Sequence, residues 1–361
     1  MFRLSLFLLI QLFLACGSEV IQPQDLSCST AESPLELSYN ELVQHIPAEV
    51  QELITELPDS EGALGRNKVG YFHVRFQLGM SRLSDYAISQ ESPAALNAYV
   101  QTLEYAFSYQ RAAGDFDLLV PEDLSNTADF QPPSAGDLAS GVAFFGKSLG
   151  VSLLSLEYSP WFNQSPEIAP LRDRIRGLRP QLQAMLVYLK TMVDELRQVD
   201  AHAPNRLLFD AIAFYTLGQY LVDEAAQEIG LDFARKAFQQ VDAERGYFIE
   251  GGDYDSSYNG VALQLAVELW SLLPLEEEAS FRKQWWPLIN CAAAWQQSRV
   301  LANGEISTTD NTRVFPGGEE FLGREKDVDV LSTLKSFYYV AALIEDEDYA
   351  DIAGQIRRFY Q

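Results

Sequence analysis

Leu182, Met185, Leu186, Leu189, Met192, Val193 and Leu196 recur at steps of three and four, a spacing that gathers them on one face of an α-helix. Leu208, Ala211, Ile212, Tyr215, Leu221 and Val222 broadly repeat the pattern. Ser92-Pro93 reads as an N-cap followed by proline in the first helical turn, and Gly114 as the residue just past that helix's end. The pattern predicts helices near 35–56, 67–89, 93–112, 135–156, 167–198, 205–226, 229–241, 257–273, 277–299, 328–345 and 347–359. No segment sustains apolar–polar alternation with β-branched enrichment, so an all-α fold is expected.

A weak internal repeat bears on how these helices are arranged. Gln110 to Phe116, Asp242 to Phe248 and Val300 to Ile306 each follow an amphipathic helix with a polar-Gly-polar-apolar turn. Helix, glycine turn and helix cannot bury their apolar faces alone and must stack on neighbours. Antiparallel helix pairs of this kind are expected to close into an (α/α) toroid, with an open α-solenoid as the alternative. Residues 34–361 read as one such domain, with Pro132-Pro133 and 159–166 as loops inside it.

Residues 1–15 carry one positive charge, Arg3, then an apolar core from Leu4 to Ile10, then Ala15 just before Cys16. That is a secretory signal, too short to span a bilayer as a mature helix. Ala15-Cys16 resembles a bacterial lipobox, with Phe13 where leucine is commoner. The resemblance implies lipidation at Cys16, a tether over 16–33 and a lipid anchor in the bacterial cell envelope, so that the membrane is a partner through the N-terminal lipid. An ordinary signal peptide with an incidental cysteine is the alternative. No later run reads as a second membrane segment.

The formal net charge of −25 argues against nucleic acid as a partner. It would repel an anionic ligand too, unless lysines and arginines were gathered in one cleft. Cys28 and Cys291 are able to form one disulfide in an oxidising compartment, but the sequence alone does not pair them. With three histidines, and no cysteine at metal-ligand spacing, no metal site is expected. A calcium loop starting at Asp253 fails because Tyr258 stands where glycine is needed. There is no G-x-S-x-G elbow, phosphate loop or dinucleotide fingerprint, and no cofactor is expected.

Three polar clusters interrupt the apolar pattern. The first is His202-Ala203-Pro204-Asn205-Arg206, where Pro204 fits the start of a helix and places Asn205 and Arg206 in its first turn. The second runs from Gly251-Gly252 through Asp253, Tyr254, Asp255, Ser256 and Ser257 to Tyr258. Its glycines permit backbone angles closed to other residues, one of its serines is placed to cap the next helix, and Tyr258 falls in the first helical turn. The third is Ser307 to Arg313, which includes Asn311, with Arg324 and Lys326 farther on. His73 and Arg75 form a further pair among aromatic residues. Each has a plainer reading: a histidine at a helix start is commonly a cap or a packed residue, and an arginine in an acidic protein is commonly a surface ion-pair partner.

The helix-only pattern, the His202 to Arg206 segment, the glycine-rich turn ending in Tyr258, and the Gly304 turn leading to Asn311-Thr312-Arg313 together resemble the α/α-toroid polysaccharide lyases, alginate and related polyuronate lyases among them. The likeness is spread over about residues 66–345. It implies cleavage of an acidic, uronate-containing polysaccharide or oligosaccharide by β-elimination, with Tyr258, His202, Asn205 and Arg313 as catalytic residues. Arg206, Asp255, Asn311 and His73 are then expected to bind substrate. The family's commoner Asn-Asn-His order is absent here, since His202 precedes Asn205 by three.

In such a reaction the C5 carbanion is stabilised as an enolate on the uronate carboxylate, and fixed donors aimed there, Asn205 with Arg313 or Arg206, supply several kcal/mol. Either Tyr258, helped by a neighbouring positive charge, or His202 would be the base; in the second case Tyr258 is the acid. A glycoside hydrolase using two carboxylates drawn from Glu250, Asp253, Asp255, Glu305 and Asp310 is one alternative. A non-catalytic glycan-binding lipoprotein is another.

Overall fold

The run from Ala135 to Tyr158 is apolar on almost every side, and in the computed structural model of the chain it forms one helix with nearly all its side chains buried. By length and composition it is able to cross a membrane, but 94% of its most apolar window is buried inside the protein. Neighbouring helices surround it, so its apolar surface is not confined to one stripe. The structure describes residues 33–122, 132–275, 278–321 and 324–361. The expected signal peptide, Cys16, the tether to residue 32 and Cys28 lie outside the described residues. Cys291 is disulfide-bonded.

Among the described residues the chain is mostly helical, and its strands are two-residue pairs at turns. The helices are α1 (Tyr39–Gln44), α2 (Ala48–Ile54), α3 (Met80–Ser89), α4 (Pro93–Ser108), α5 (Ala135–Tyr158), α6 (Pro160–Gln164), α7 (Ala169–Gly177), α8 (Arg179–Thr191), α9 (Val193–Val199), α10 (Pro204–Leu221), α11 (Glu224–Phe238), α12 (Ser256–Leu272), α13 (Ala279–Ser298), α14 (Val330–Ile344) and α15 (Glu347–Tyr360).

Three expected helices are broken, each for a local reason. The one over 35–56 splits at Pro47, which has no N–H to extend α1. The one over 67–89 begins only at Met80, because the chain before it makes two 3₁₀ turns, Gly65–Val69 and Val74–Gln77, the first ending in left-handed Gly70. The one over 167–198 is three helices, interrupted at Leu178 just ahead of Pro180 and again at Met192.

The longer helices pack in succession. α3 lies on α5, α5 on α10, α10 on α12 and α12 on α14, while short α1 touches α3, α5, α12 and α14. Behind them α4 backs α3, α8 and α9 back α5, α11 backs α10, α13 backs α12 and α15 backs α14.

The repeated turns bring the chain back from one backing helix toward the next central one. Gly114, Gly246 and Gly304 have φ of 92°, 85° and 92° and sit inside short antiparallel bridges, Gln110 with Phe116, Val241 with Phe248 and Val300 with Ile306. Each glycine presses its bare α-carbon on a main-chain carbonyl of a later backing helix: Ala184 of α8, Cys291 of α13 and Gln355 of α15. The degenerate repeat in the sequence is therefore one packing device used three times.

Gly304→Ala should destabilise the fold by about 2 kcal/mol or more, since a side chain there meets both a left-handed backbone and the Gln355 carbonyl. Gly70→Ala, at φ 79° with open space around it, should cost only the backbone part, about 1 kcal/mol. Denaturant unfolding of the two variants checks this, and equal losses would show that the close approach is not what the glycine serves.

Candidate active site

Asp255 caps α12: its Oδ1 accepts from the N–H groups of Ser257 (3.0 Å) and Tyr258 (3.1 Å). Its Oδ2 accepts from the N–H groups of Arg313 (2.9 Å) and Val314 (2.7 Å). One fully buried carboxylate thus fastens the start of α12 to the loop that carries Arg313. Asn311 adds a second clamp, accepting from Ser256 N–H and donating to Ser256 Oγ and the Val314 carbonyl. Gly251 and Gly252, with φ of 65° and 98°, bring the chain into this turn.

The clamp puts Arg313 against Tyr258, with the guanidinium carbon 4.3 Å from the ring centre. Arg313 is ion-paired with Glu250 and with Glu319, the latter at 3.0 Å. Tyr258 donates its phenol proton to Glu319 Oε2 at 2.9 Å, and Lys326 Nζ reaches both Tyr258 Oη and, at 2.7 Å, Glu319 Oε1. Burial pushes the Tyr258 phenol above its usual range; Arg313 pulls against this and Glu319 adds to it. The phenol is therefore neutral at pH 7. Burial lowers Lys326 from the usual lysine value, against the pull of Glu319.

These groups stand on the wall of a cavity of about 450 Å³ to which α3, α5, α10, α12 and α14 all contribute. A volume of that size suits a small ligand. Arg75, Arg82, Lys147, Arg206, Arg313, Lys326 and Lys335 line it, against only two carboxylates, Glu319 and Asp329. In a chain of net charge −25 this is a cleft full of cations of the kind an anionic ligand requires.

The carboxylates that balance those cations stand behind them. Arg206 pairs with buried Asp200 at 2.7 Å, and Asp200 neighbours buried Asp210. Burial and the Asp200 charge push Asp210 well above the carboxylate range, so the two carboxyls hold a single negative charge between them. On the cavity side, burial and the Arg206 guanidinium lower Arg75. Two crowded cations of this kind are relieved when an anion enters. The Arg75 guanidinium lies 4.9 Å from the Phe144 ring, which stacks on Phe209 at 4.0 Å. Asn205 is 7% exposed, and its Oδ1 has no hydrogen-bond partner among the described residues.

Asn205, Arg206, Tyr258 and Arg313 thus share one cavity, and the other expected site residues do not. His202 lies exposed in the turn before α10 and is absent from the cavity wall, because Pro204 starts the helix beyond it and only the first turn faces inward. His73 packs where any side chain on Gly141 would overlap its ring, its Nδ1 accepts from Arg75 N–H, and burial followed by the Arg75 charge takes it down to about 3. It belongs to the core. Asp255 and Asn311 spend their polar atoms on the backbone, so they assemble the site and do not line it.

None of the five carboxylates considered for a hydrolase lines the cavity. Among the described residues no group of three or more His, Cys, Asp or Glu side chains is placed to hold a metal ion.

Sequence reasoning missed the bottom of the cavity. Lys147, Lys335 and Glu268 are single charges inside apolar helices, and a lone charge in a helix buried on all sides signals a partner on another helix. Glu319 sits in a loop with no such signal. No family model, curated protein or solved structure matches the chain.

Burial holds the Glu250 carboxyl up to about 7 although Arg313 pulls it down. As pH rises through that value Glu250 ionises and cancels more of the Arg313 charge. Binding of a carboxylate ligand beside Arg313 should therefore weaken by about three- to tenfold across pH 7, the size expected for one added charge at several ångströms. In Glu250→Gln this step should vanish. Titration calorimetry on either side of pH 7 checks both statements.

Proposed function

We propose that the chain is an (α/α) toroid that cleaves a uronate-containing glycan, of the alginate or polyuronate class, by β-elimination. The succession α3, α5, α10, α12 and α14, with α1 touching both ends of the series and each helix backed by another, supports closure over an open solenoid. The observation that carries the functional reading is the meeting of Asn205, Arg206, Tyr258 and Arg313, drawn from distant segments, in a cavity with seven cations on its wall. On the reading of residues 1–16, the enzyme works from a lipid anchor in the cell envelope.

With His202 on the outside, the proton transfers fall to Tyr258 and Lys326. In this scheme Asn205, Arg206 and Arg75 hold the uronate carboxylate and stabilise the enolate as the C5–H bond breaks. The neutral fraction of Lys326 takes the C5 proton, the C4–O4 bond breaks to form the double bond, and Tyr258 delivers its proton to the leaving oxygen. Lys326 ends as ammonium and Tyr258 as phenolate. Their direct hydrogen bond returns the proton and resets the site.

The test of function is incubation of the purified protein with alginate, polyglucuronate, pectate and glycosaminoglycans while following the ultraviolet absorbance of the conjugated double bond. Saturated reducing ends without that absorbance would indicate hydrolysis, and binding without any cleavage would indicate a glycan-binding protein.

Tyr258→Phe should reduce turnover by at least about 100-fold while leaving binding of oligouronate within about threefold. The pH profile follows from the two shifts. The base must be unprotonated, so activity rises through the Lys326 pKa, which burial places below the usual 10.5. The acid must be protonated, so activity is lost only through the Tyr258 pKa, above the usual 10.0. An alkaline optimum is expected, and an acidic one would rule out this pair.

A further inference from the structure

The lower end of the cavity is closed by a buried ionic layer. Lys147 and Lys335 line the cavity while being only 4% and 3% exposed. Beneath them lie Glu268, 2.6 Å from Lys147 and 3.3 Å from Lys335, and Asp85, 3.4 Å from Lys335. Burial pushes the Glu268 carboxyl up, but the two lysines outweigh it and hold it at about 2. Glu268 is therefore ionised at neutral pH, while burial lowers Lys147 and raises Asp85, each against the pull of its partners.

Helix α1 lies against the far side of that layer. The Tyr39 phenol donates to Asp85 Oδ2 at 3.0 Å, its ring meets Tyr339 at 6.3 Å, and Asn40 donates to the Ser155 carbonyl of α5. On the far side of this helix lies a separate cavity of about 390 Å³, lined by Tyr39, Asn40, Ile88, Ser155 and Leu272. The ionic layer and α1 thus divide two spaces that would otherwise form one channel.

Five helices wall the upper cavity, and its depth follows from α12. Tyr258 stands at the first turn and Leu265 near the floor, a descent of about 10 Å at about 1.5 Å per residue. A chain crossing such a space would collide with a wall on either side, whereas a chain end is able to enter.

We propose that the cavity is a blind pit that takes the end of a uronate chain, with the carboxylate of the terminal residue held by Lys147 and Lys335. Both lysines line this space while the carboxylates they pair with do not, which favours an anion at that depth. The short distance from Tyr258 to the floor leaves room for only a short stretch of glycan below the scissile bond. The products are therefore mono- or disaccharides released from a chain end. This mode of action rests on the lyase reading above, while occupation of the floor by a single acidic sugar does not.

Two measurements separate those parts. Titration of the protein with free glucuronate, mannuronate and galacturonate, and with their methyl esters, tests the floor without any turnover. At least one free acid should bind, and its ester should bind at least tenfold more weakly. Equal binding of acid and ester, or no binding of any monosaccharide, overturns the proposal. Ser332→Leu, which fills the wall beside Lys335 and removes no member of the three ion pairs, should weaken the acid at least tenfold; unchanged binding by a folded variant overturns it, and if the variant does not fold, the ester comparison decides.

For the wild-type enzyme on a long uronate polymer, mono- or disaccharide should appear from the first turnovers while the viscosity stays high. Early loss of viscosity with mid-sized oligosaccharides overturns end-on action. Absence of elimination on every polymer would sink the lyase reading and leave the titration to decide the pit.

Discussion

The site depends on one constraint: α10, α12 and α14 must all begin at the same cavity. Each central helix runs away from the cavity and a backing helix carries the chain home, so successive central helices start level with one another. First-turn residues as distant in sequence as Asn205, Tyr258 and Ser332 become neighbours in this way. Helix starts also carry the positive end of the helix dipole. The architecture thus adds positive potential to a cleft whose side chains are already cationic. The glycine turns are what permit this, because only an α-carbon without a side chain fits between the returning loop and the next backing helix.

Within that frame Asp255 is the joint on which the chemistry hangs. Its four hydrogen bonds go to backbone N–H groups, and with the Asn311 clamp they hold Arg313 over Tyr258. The same logic recurs around the cavity. Asp200 sits behind Arg206, Glu250 behind Arg313, and Glu268 behind Lys147. Each buried carboxylate fixes a cation in place and offsets part of the desolvation that a cation alone would bear. The result is a layered surface, negative behind and positive in front, whose donors are already oriented before a ligand arrives.

Much of this was legible in the sequence, for identifiable reasons. The helical periodicity of 182–196, the proline at the start of the 204 helix and the glycine turns are local signals, and they predicted helices, first-turn positions and the repeat. The breaks at Leu178 and Met192 were not visible, because an apolar face continues across them although the backbone does not. Tyr258, Asn205 and Arg206 drew notice because polar residues at helix starts stand out against apolar runs, and Arg313 because its polar loop follows a glycine turn; the structure sets all four on one cavity. His202 was misplaced for the same reason: nearness in sequence to a helix start does not say which side of the first turn faces inward. Asp255 and Asn311 show the other limit, since a carboxylate that binds a ligand and one that binds backbone N–H groups look identical in a sequence.

The contrast between an acidic exterior and a cationic pit decides what is able to bind. At about 0.15 M salt the screening length is about 8 Å, so a polyanion feels the negative surface only when close to it. Surface contacts therefore repel it weakly and everywhere, while the half-buried cations of the pit, poorly screened, attract it strongly in one place. Crowding sharpens this. Burial and the Arg206 charge already lower the preference of Arg75 for its charged form, and an entering carboxylate relieves that repulsion as well as forming its own hydrogen bonds. A neutral sugar of the same shape gains neither effect, so charge in this cavity selects among ligands before shape does.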